Sequence, residues 1–241
     1  QSKMYACSIN CPYVDYNKFY TYYGDFNYAD SWVLAALDGT PTPTTWTNGA
    51  ADFSAVNDAA TRREATKKGT AYMNVWMYAI REFEDAIGDC QAGCTGNTAC
   101  NEATAGPVHA WDEGVAFYTG STEGAYGGSS GKLVYALAEK RCANFRTCGA
   151  NGNSVSGVSK VNLDLGAQFS LGQHYLHVGS CNRAIAPKDR IVDLMTVPLI
   201  QGTLRYAYKV EYLHDSTTSA STVLKEKAEG AVFAASVLPR V

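Results

Sequence analysis

The stretch TRREATKKGTAYMNVWMYAIREFEDAIG, residues 61–88, carries the clearest periodicity in the chain. Ala65, Gly69, Tyr72, Trp76, Ile80, Phe83 and Ile87 recur every three or four positions, the spacing that lines up side chains on one face of an α-helix. Arg62, Arg63, Lys67, Lys68, Asn74, Arg81 and Asp85 fall mostly on the opposite side, and Glu84 sits beside the apolar stripe one turn after Ile80. A long amphipathic helix is predicted, and its apolar face needs partners.

Those partners read as further helices. After Asn27, Trp32, Val33, Ala36 and Leu37 share a face, and Gly39 ends the segment. PTPTTWTNG (41–49) is a loop by its Pro and Thr content and a candidate for O-glycans. Gly106-Pro107 opens a helix, because proline suits the first helical position. TGSTEGAYGGSSG (119–131) is a loop, and KLVYALAEKRCANF (132–145) is a helix with Leu133, Leu137, Arg141 and Phe145 aligned. NLDLGAQFSLGQHYLHVGSCNRAI (162–185) is read as a helix through Leu163, Ala167, Leu171, Tyr175 and Val178. Pro187 opens the next helix, in which Pro198 should produce a kink. LRYAYKVEYL (204–213) alternates at period two, which leaves a strand open there, and VLKEKAEGAVFAASVLP (223–239) is the last helix. The expected fold class is all-α, a disulfide-bonded helical bundle. Residues 1–241 read as one secreted domain, with GANGNSVSGVSK (149–160) as a candidate linker between halves 1–150 and 160–241.

Two segments resemble each other: EGVAFYTGS (113–121) and EGAVFAASV (229–237). Each follows a helix with an apolar-Arg-aromatic step, Ile80-Arg81-Glu82-Phe83 in one case and Leu204-Arg205-Tyr206 in the other. An internal duplication of helix pairs and chance likeness between apolar helices both account for this.

Composition narrows the function. The 241 residues suffice for a proper core, and 46% hydrophobic with 18% charged residues is a globular balance. A net charge of -3 with no basic patch argues against nucleic acid. No apolar run approaches the roughly 20 residues of a membrane span, and no basic-then-apolar leader opens the chain, although Gln1 is compatible with a mature end left by a signal peptidase. The eight cysteines, Cys7, Cys11, Cys90, Cys94, Cys100, Cys142, Cys148 and Cys181, lack the C-x2-C pairs of zinc sites. Disulfides in an oxidising, extracytoplasmic compartment fit better; the connectivity stays open, with short-range bridges expected to dominate.

The helix after Pro107 contains HAWDEGVAFYTGS (109–121), in which His109, Asp112 and Glu113 share one side. Its other residues are largely apolar, so burial is expected, and a buried carboxylate needs a partner. Glu229 is in the same position among Ala228, Ala231, Val232 and Phe233. One reading is a buried ion pair with Arg81, Arg141 or Arg205. The other is a metal site of the kind built between bundle helices, where carboxylates, imidazole and the phenol of Tyr118 suit ferric iron or manganese. His174 and His177 stand three apart and are a weaker metal pair, and Glu82, Glu84 and Asp85 read as a solvated acidic face. There is no G-x-S-x-G elbow, no activated cysteine and no phosphate loop, because Leu133 follows Gly131-Lys132; an enzyme is not expected.

Four segments, FNYADSWVLAALDGT, HAWDEGVAFYTGS, LVYALAEKRCANFRTC and KAEGAVFAASVLP, resemble the low-iron-inducible periplasmic proteins, the algal Fe-assimilation family related to phytotransferrins. The resemblance implies secretion to the periplasmic or extracellular space, disulfides, and iron capture at the cell surface. It carries over to His109, Asp112, Glu113 and Glu229. On this reading the protein binds ferric iron together with an anion such as carbonate. Glu113 and Glu229 are then central, His109, Asp112 and Tyr118 complete the site, and Arg81 holds the anion. The rival reading is a structural extracellular protein. Its abundant Tyr, Thr, Ser, Gly and Ala would serve a coat or filament made of its own copies or of cell-surface and matrix partners.

Overall fold

Two short helices open the described chain, and each stops on a glycine that can take the left-handed conformation. α1 (Val14–Tyr23) ends at Gly24 with φ 74°, and α2 (Tyr28–Asp38) ends at Gly39 with φ 71°. The computed structural model describes residues 13–120 and 132–241; Cys7, Cys11 and most of the loop expected over 119–131 lie outside them. The described residues are largely helical, as the periodicities predict. They contain no strand, only isolated bridges such as Pro41 with Asp52. They fold as two compact units: residues up to Met77 with Leu199–Val241, and Tyr78–Pro198.

In the first unit, α3 (Ala59–Gly69) starts on Asp58, whose carboxylate accepts from the Thr61 amide at 2.8 Å. A π-helical turn, Thr70–Val75, follows and leads to Trp76, the first residue of α4 (Trp76–Asp89). The extra residue of that turn advances the register, so Met73 is buried where Tyr72 was expected. The core is aromatic, with Phe19, Tyr23, Tyr28, Trp32 and Phe233 all nearly inaccessible. Tyr23 stacks on Tyr28 at 5.0 Å, and its hydroxyl donates to the Ala235 carbonyl at 2.6 Å. Gly69 lets α3 approach Trp32: a Cβ there would lie 2.9 Å from the indole.

The second unit contains the rest of α4, a π-turn over Cys90–Cys94, α5 (Thr98–Asn101), α6 (Pro107–Thr119), α7 (Leu133–Phe145) and α8 (Lys160–His177). The part of α9 (Ile185–Tyr208) up to Pro198 also belongs to it. Phe83 meets Trp111 edge-on at 4.8 Å and stacks with Phe169 at 5.7 Å, which joins α4, α6 and α8. Disulfides pair Cys90 with Cys181, Cys94 with Cys100, and Cys142 with Cys148. Two of these three bridges are short-range, as expected. The Gly/Asn/Ser-rich segment 149–160 lies inside this unit, where Cys148 bridges to Ser154 and Ser159.

Two sequence expectations are corrected, and the strand left open at 204–213 is not formed. α8 does not bury Leu163, Ala167, Leu171, Tyr175 and Val178; Leu171 is 38% and Val178 42% exposed. It buries Val161, Leu165, Gly166, Phe169, Gly172 and Leu176 instead, because Gly172 allows α8 to close on the Trp111 indole. Residues 204–213 are helix and π-turn rather than strand: α9 runs to Tyr208 and Lys209–Leu213 continues it, so the backbone groups are satisfied within the helix without a neighbouring strand. The acidic face of α4 is largely covered, with Glu82 buried and Glu84 and Asp85 partly so. Glu82 is 1% exposed, and Arg81, placed on the polar side by its spacing, is 5% exposed.

The last helix, α10 (Ala220–Val237), belongs to the first unit. The two similar Glu-Gly segments therefore sit in different units and in different surroundings. Gly114 of α6 faces the Phe83 ring, 2.7 Å from a would-be Cβ, whereas Gly230 of α10 faces Tyr206.

Candidate functional site

α6 owes its position to Gly106 at the N-cap, Pro107 in its first turn and Gly120 at φ 66° as its stop. Pro107, Trp111, Gly114 and Tyr118 form its buried stripe. His109, Asp112 and Glu113 share one side, as their spacing requires, but that side is exposed. The expectation of an all-round buried helix is corrected: apolar Ala110, Val115, Ala116 and Phe117 are only partly covered or exposed, so the carboxylates reach water and need no buried ion pair. Asp112 accepts from Gln173 Nε2 at 2.8 Å. Burial of its carboxyl against α8 raises its pKa, while the Gln173 hydrogen bond and the charge of His109 pull the other way.

Tyr118 lies on the inner side of α6, away from that face. Its hydroxyl donates to Asn162 Oδ1 at 2.5 Å, and burial, then the nearby Glu139, holds the phenol well above its usual range. Glu229 is buried in the first unit, where its Oε1 meets Lys68 Nζ at 2.8 Å; Lys68 also holds Glu64 at 2.8 Å. Burial alone would lower the Lys68 pKa, but hydrogen bonds to Glu229 and Glu64 outweigh it and hold the ammonium above its ordinary value. Glu229 is therefore an ion-pair residue, and the partner is a lysine of the predicted polar face rather than an arginine. Glu113 belongs to the second unit.

A further charged cluster gathers, around Arg81, acids that their spacing predicts to be solvated. Arg81 Nη1 donates to Glu82 Oε1 at 2.8 Å, and Nη2 to Asp85 Oδ2 at 2.9 Å. The guanidinium carbon lies 5.8 Å from the Tyr78 ring centroid. The Tyr78 hydroxyl is hydrogen-bonded to Glu82, and its pKa is pushed up to about 12, first by burial, then by Glu82; Glu113 adds to the rise. Tyr78 also meets Phe117 edge-on at 4.9 Å. α4 and α6 thus bring Tyr78, Arg81, Glu82, Asp85 and Glu113 into one electrostatic neighbourhood. Nearby on α4, the Glu84 side chain is 8% exposed and lies 4.0 Å from Lys188. The sequence signal for this cluster was present but faint: Arg81-Glu82 is an adjacent charge pair between Ile80 and Phe83.

Chemically, the cluster offers carboxylates, a phenol and a guanidinium, a set of hard oxygen donors with one anion-binding group. Among the described residues no group of three or more His, Cys, Asp or Glu side chains is gathered to hold a metal ion. His109, Asp112 and Glu113, all in the second unit, are accordingly not drawn into one shell. His174 is exposed, and His177 Nδ1 pairs with Glu102 at 2.9 Å, so these two are not drawn together either.

Helices, disulfide bridges and the buried acid-arginine cluster define an all-α protein of an oxidising compartment outside the cytoplasm. The family model for Fea1, the low iron-inducible periplasmic protein, matches residues 16–228, and the chain belongs to that family. This bears out the resemblance drawn from the four segments, three of which lie wholly inside the match; Glu229 lies one residue beyond it. No curated protein and no solved structure matches the chain. No helix among the described residues is long and apolar enough to cross a membrane.

Proposed function

We propose that the protein is a non-enzymatic iron-assimilation protein that takes ferric iron as cargo at the Arg81 cluster. The family description states where and when such proteins are made, not what they bind. The observation that carries the reading is the guanidinium of Arg81, buried between Glu82 and Asp85 beneath Tyr78, with Glu113 close enough to raise the phenol pKa. Glu82, Asp85 and the Tyr78 phenolate are hard oxygen donors of the type ferric iron prefers, and Glu113 adds a further negative charge near the phenol. Iron would take over the carboxylates that Arg81 now neutralises and leave the guanidinium to a carbonate. Its binding replaces the Tyr78 proton, so each iron bound through the phenolate releases that proton and affinity falls as pH falls. Of the candidates read from sequence, Arg81 and Glu113 keep their roles, and Tyr78 stands where Tyr118 was expected.

The test is ferric titration of metal-free protein in bicarbonate. Stoichiometric uptake with a visible phenolate-to-iron absorption band supports the reading, provided that the band is lost in Tyr78→Phe and uptake in Glu82→Gln. Absence of uptake in the wild type, or an unchanged band in Tyr78→Phe, overturns it.

One observation favours a structural coat or filament. Leu204, Tyr208 and Tyr212, successive on one side of α9 and its π-turn, are 55%, 56% and 71% exposed. Apolar and tyrosine side chains at this exposure suit a contact between copies. Sedimentation separates the readings: a polymer indifferent to iron is structural, and a small soluble species that takes up iron is not.

A further inference from the structure

A cavity of about 160 Å³ opens in the second unit among α6, α7 and α8. Four aromatic rings contribute to its wall: Trp111, Tyr118, Tyr135 and Phe169. Tyr118 is the hinge of this set, edge-on to Tyr135 at 6.3 Å and to Phe169 at 5.7 Å. Asp112 and Gln173 stand at the wall as well, joined by their 2.8 Å hydrogen bond. Among the described residues no lysine, arginine or histidine lines the cavity.

The hydrogen-bond ledger of this wall is one-sided. Trp111 Nε1 donates to the Phe169 carbonyl, Tyr118 to Asn162, Thr119 to the Val115 carbonyl and Ser170 to the Gly166 carbonyl. Both amide hydrogens of Asn162 go to the Tyr135 carbonyl and Glu139. These donors are spent and one N–H of Gln173 Nε2 is left, whereas the second oxygen of Asp112 and the side-chain carbonyl of Gln173 remain as acceptors. An anion would find few donors and one carboxylate against it. A neutral apolar guest would leave that carboxylate facing hydrocarbon, at a cost. A cation with an apolar surface suits both features: its charge answers Asp112, and its methyl groups lie on aromatic faces, which attract cations through the ring quadrupole. The volume is comparable to the roughly 150 Å³ cavity that accepts benzene, so the guest is a group of about that size.

We propose that this cavity is a binding site for a methylated ammonium group, with Asp112 as its counter-charge and the rings of Trp111, Tyr118, Tyr135 and Phe169 as its walls. The site uses none of the groups assigned to iron except for its place on α6 beside Glu113, and it stands whether or not the iron reading does.

The experiment is calorimetric titration of the full-length, chelator-treated chain with choline and, separately, with 3,3-dimethylbutan-1-ol, the neutral alcohol of the same shape. Saturable choline binding at least tenfold tighter than the alcohol is expected. Asp112→Asn should erase the preference, and Ser170→Leu, which fills the cavity, should abolish both. Equal affinity for the two probes would reduce the site to an apolar hole and overturn the proposal. So would no binding of choline at 100-fold excess over protein, or an unchanged preference in Asp112→Asn. If Asp112→Asn does not fold, the wild-type preference for choline over the alcohol, with its loss in Ser170→Leu, decides alone. Repeating the choline titration with ferric iron present should leave the affinity unchanged, which keeps this result separate from that of the iron test.

Discussion

Gly172→Ala is a direct test of how α8 is seated. A Cβ at Gly172 would run into the Trp111 indole, with Cε2 at 2.8 Å and Cζ2 and Cη2 closer still. Trp111 has little room to retreat: it is fully buried, its Nε1 is bound to the Phe169 carbonyl at 3.0 Å, and Phe83 lies edge-on at 4.8 Å. Overpacking of this kind costs about 1–3 kcal/mol, and three ring atoms inside contact distance place the cost at the upper end. Alanine returns up to about 1 kcal/mol through helix propensity. The net is a loss of about 2 kcal/mol, or roughly 4–8 °C in Tm for a chain of this size. Gly88→Ala is the matched control: it is also helical, is exposed, and has nothing within 4 Å of a would-be Cβ, so it should gain up to about 1 kcal/mol. Differential scanning calorimetry of both variants and the wild type reads the outcome. A Gly172→Ala protein that melts at or above the wild-type temperature would refute the packing, and would mean that α8 turns its Leu163–Leu171 face inward.

Three further outcomes follow from the charges and bridges. Lys68→Met leaves Glu229 buried without its cation and should destabilise the protein by about 3–5 kcal/mol in urea unfolding, whereas Lys67→Met, whose side chain is 71% exposed, should change little. Glu64 and Glu226 titrate below their ordinary range: burial works against this, but the hydrogen bonds and charges of Lys68 for the one, and of Lys209 and His214 for the other, prevail. Their folded pKa values lie below the unfolded value, so the stability they add is present above about pH 4.5 and is lost as pH falls through the folded values; urea midpoints measured from pH 7 to 3 should drop there, and less so in Glu226→Gln. Replacing Cys90 and Cys181 together by serine opens a loop with a sequence separation of 91 and should cost about 4–5 kcal/mol, against about 2 kcal/mol for the Cys142–Cys148 pair with a separation of 6, both read from chemical denaturation.

The helical fold was legible because apolar spacing and punctuation agreed. Gly39 and Gly106-Pro107 marked ends that the structure uses, and the stripe through Ala65, Trp76, Ile80, Phe83 and Ile87 is buried as read. α8 defeated the same method because it carries two stripes of similar hydropathy. Glycine counts for little on a hydropathy scale, yet Gly172 decides which stripe faces inward by admitting the Trp111 ring. Helix spacing was also enough to put His109, Asp112 and Glu113 on one side of α6, but it did not say whether that side faced protein or water.

By itself, then, the sequence determined the all-α class, the oxidised extracytoplasmic setting and the family, because periodicity, cysteine content and segment likeness are properties of the chain read in order. Only the tertiary structure decided which charges are buried. Arg81 and Glu82 became core, Glu113 became surface, and Glu229 found Lys68. The physical reason is that the burial of a charge depends on what packs across from it, and a partner from another helix can outweigh the cost of leaving water.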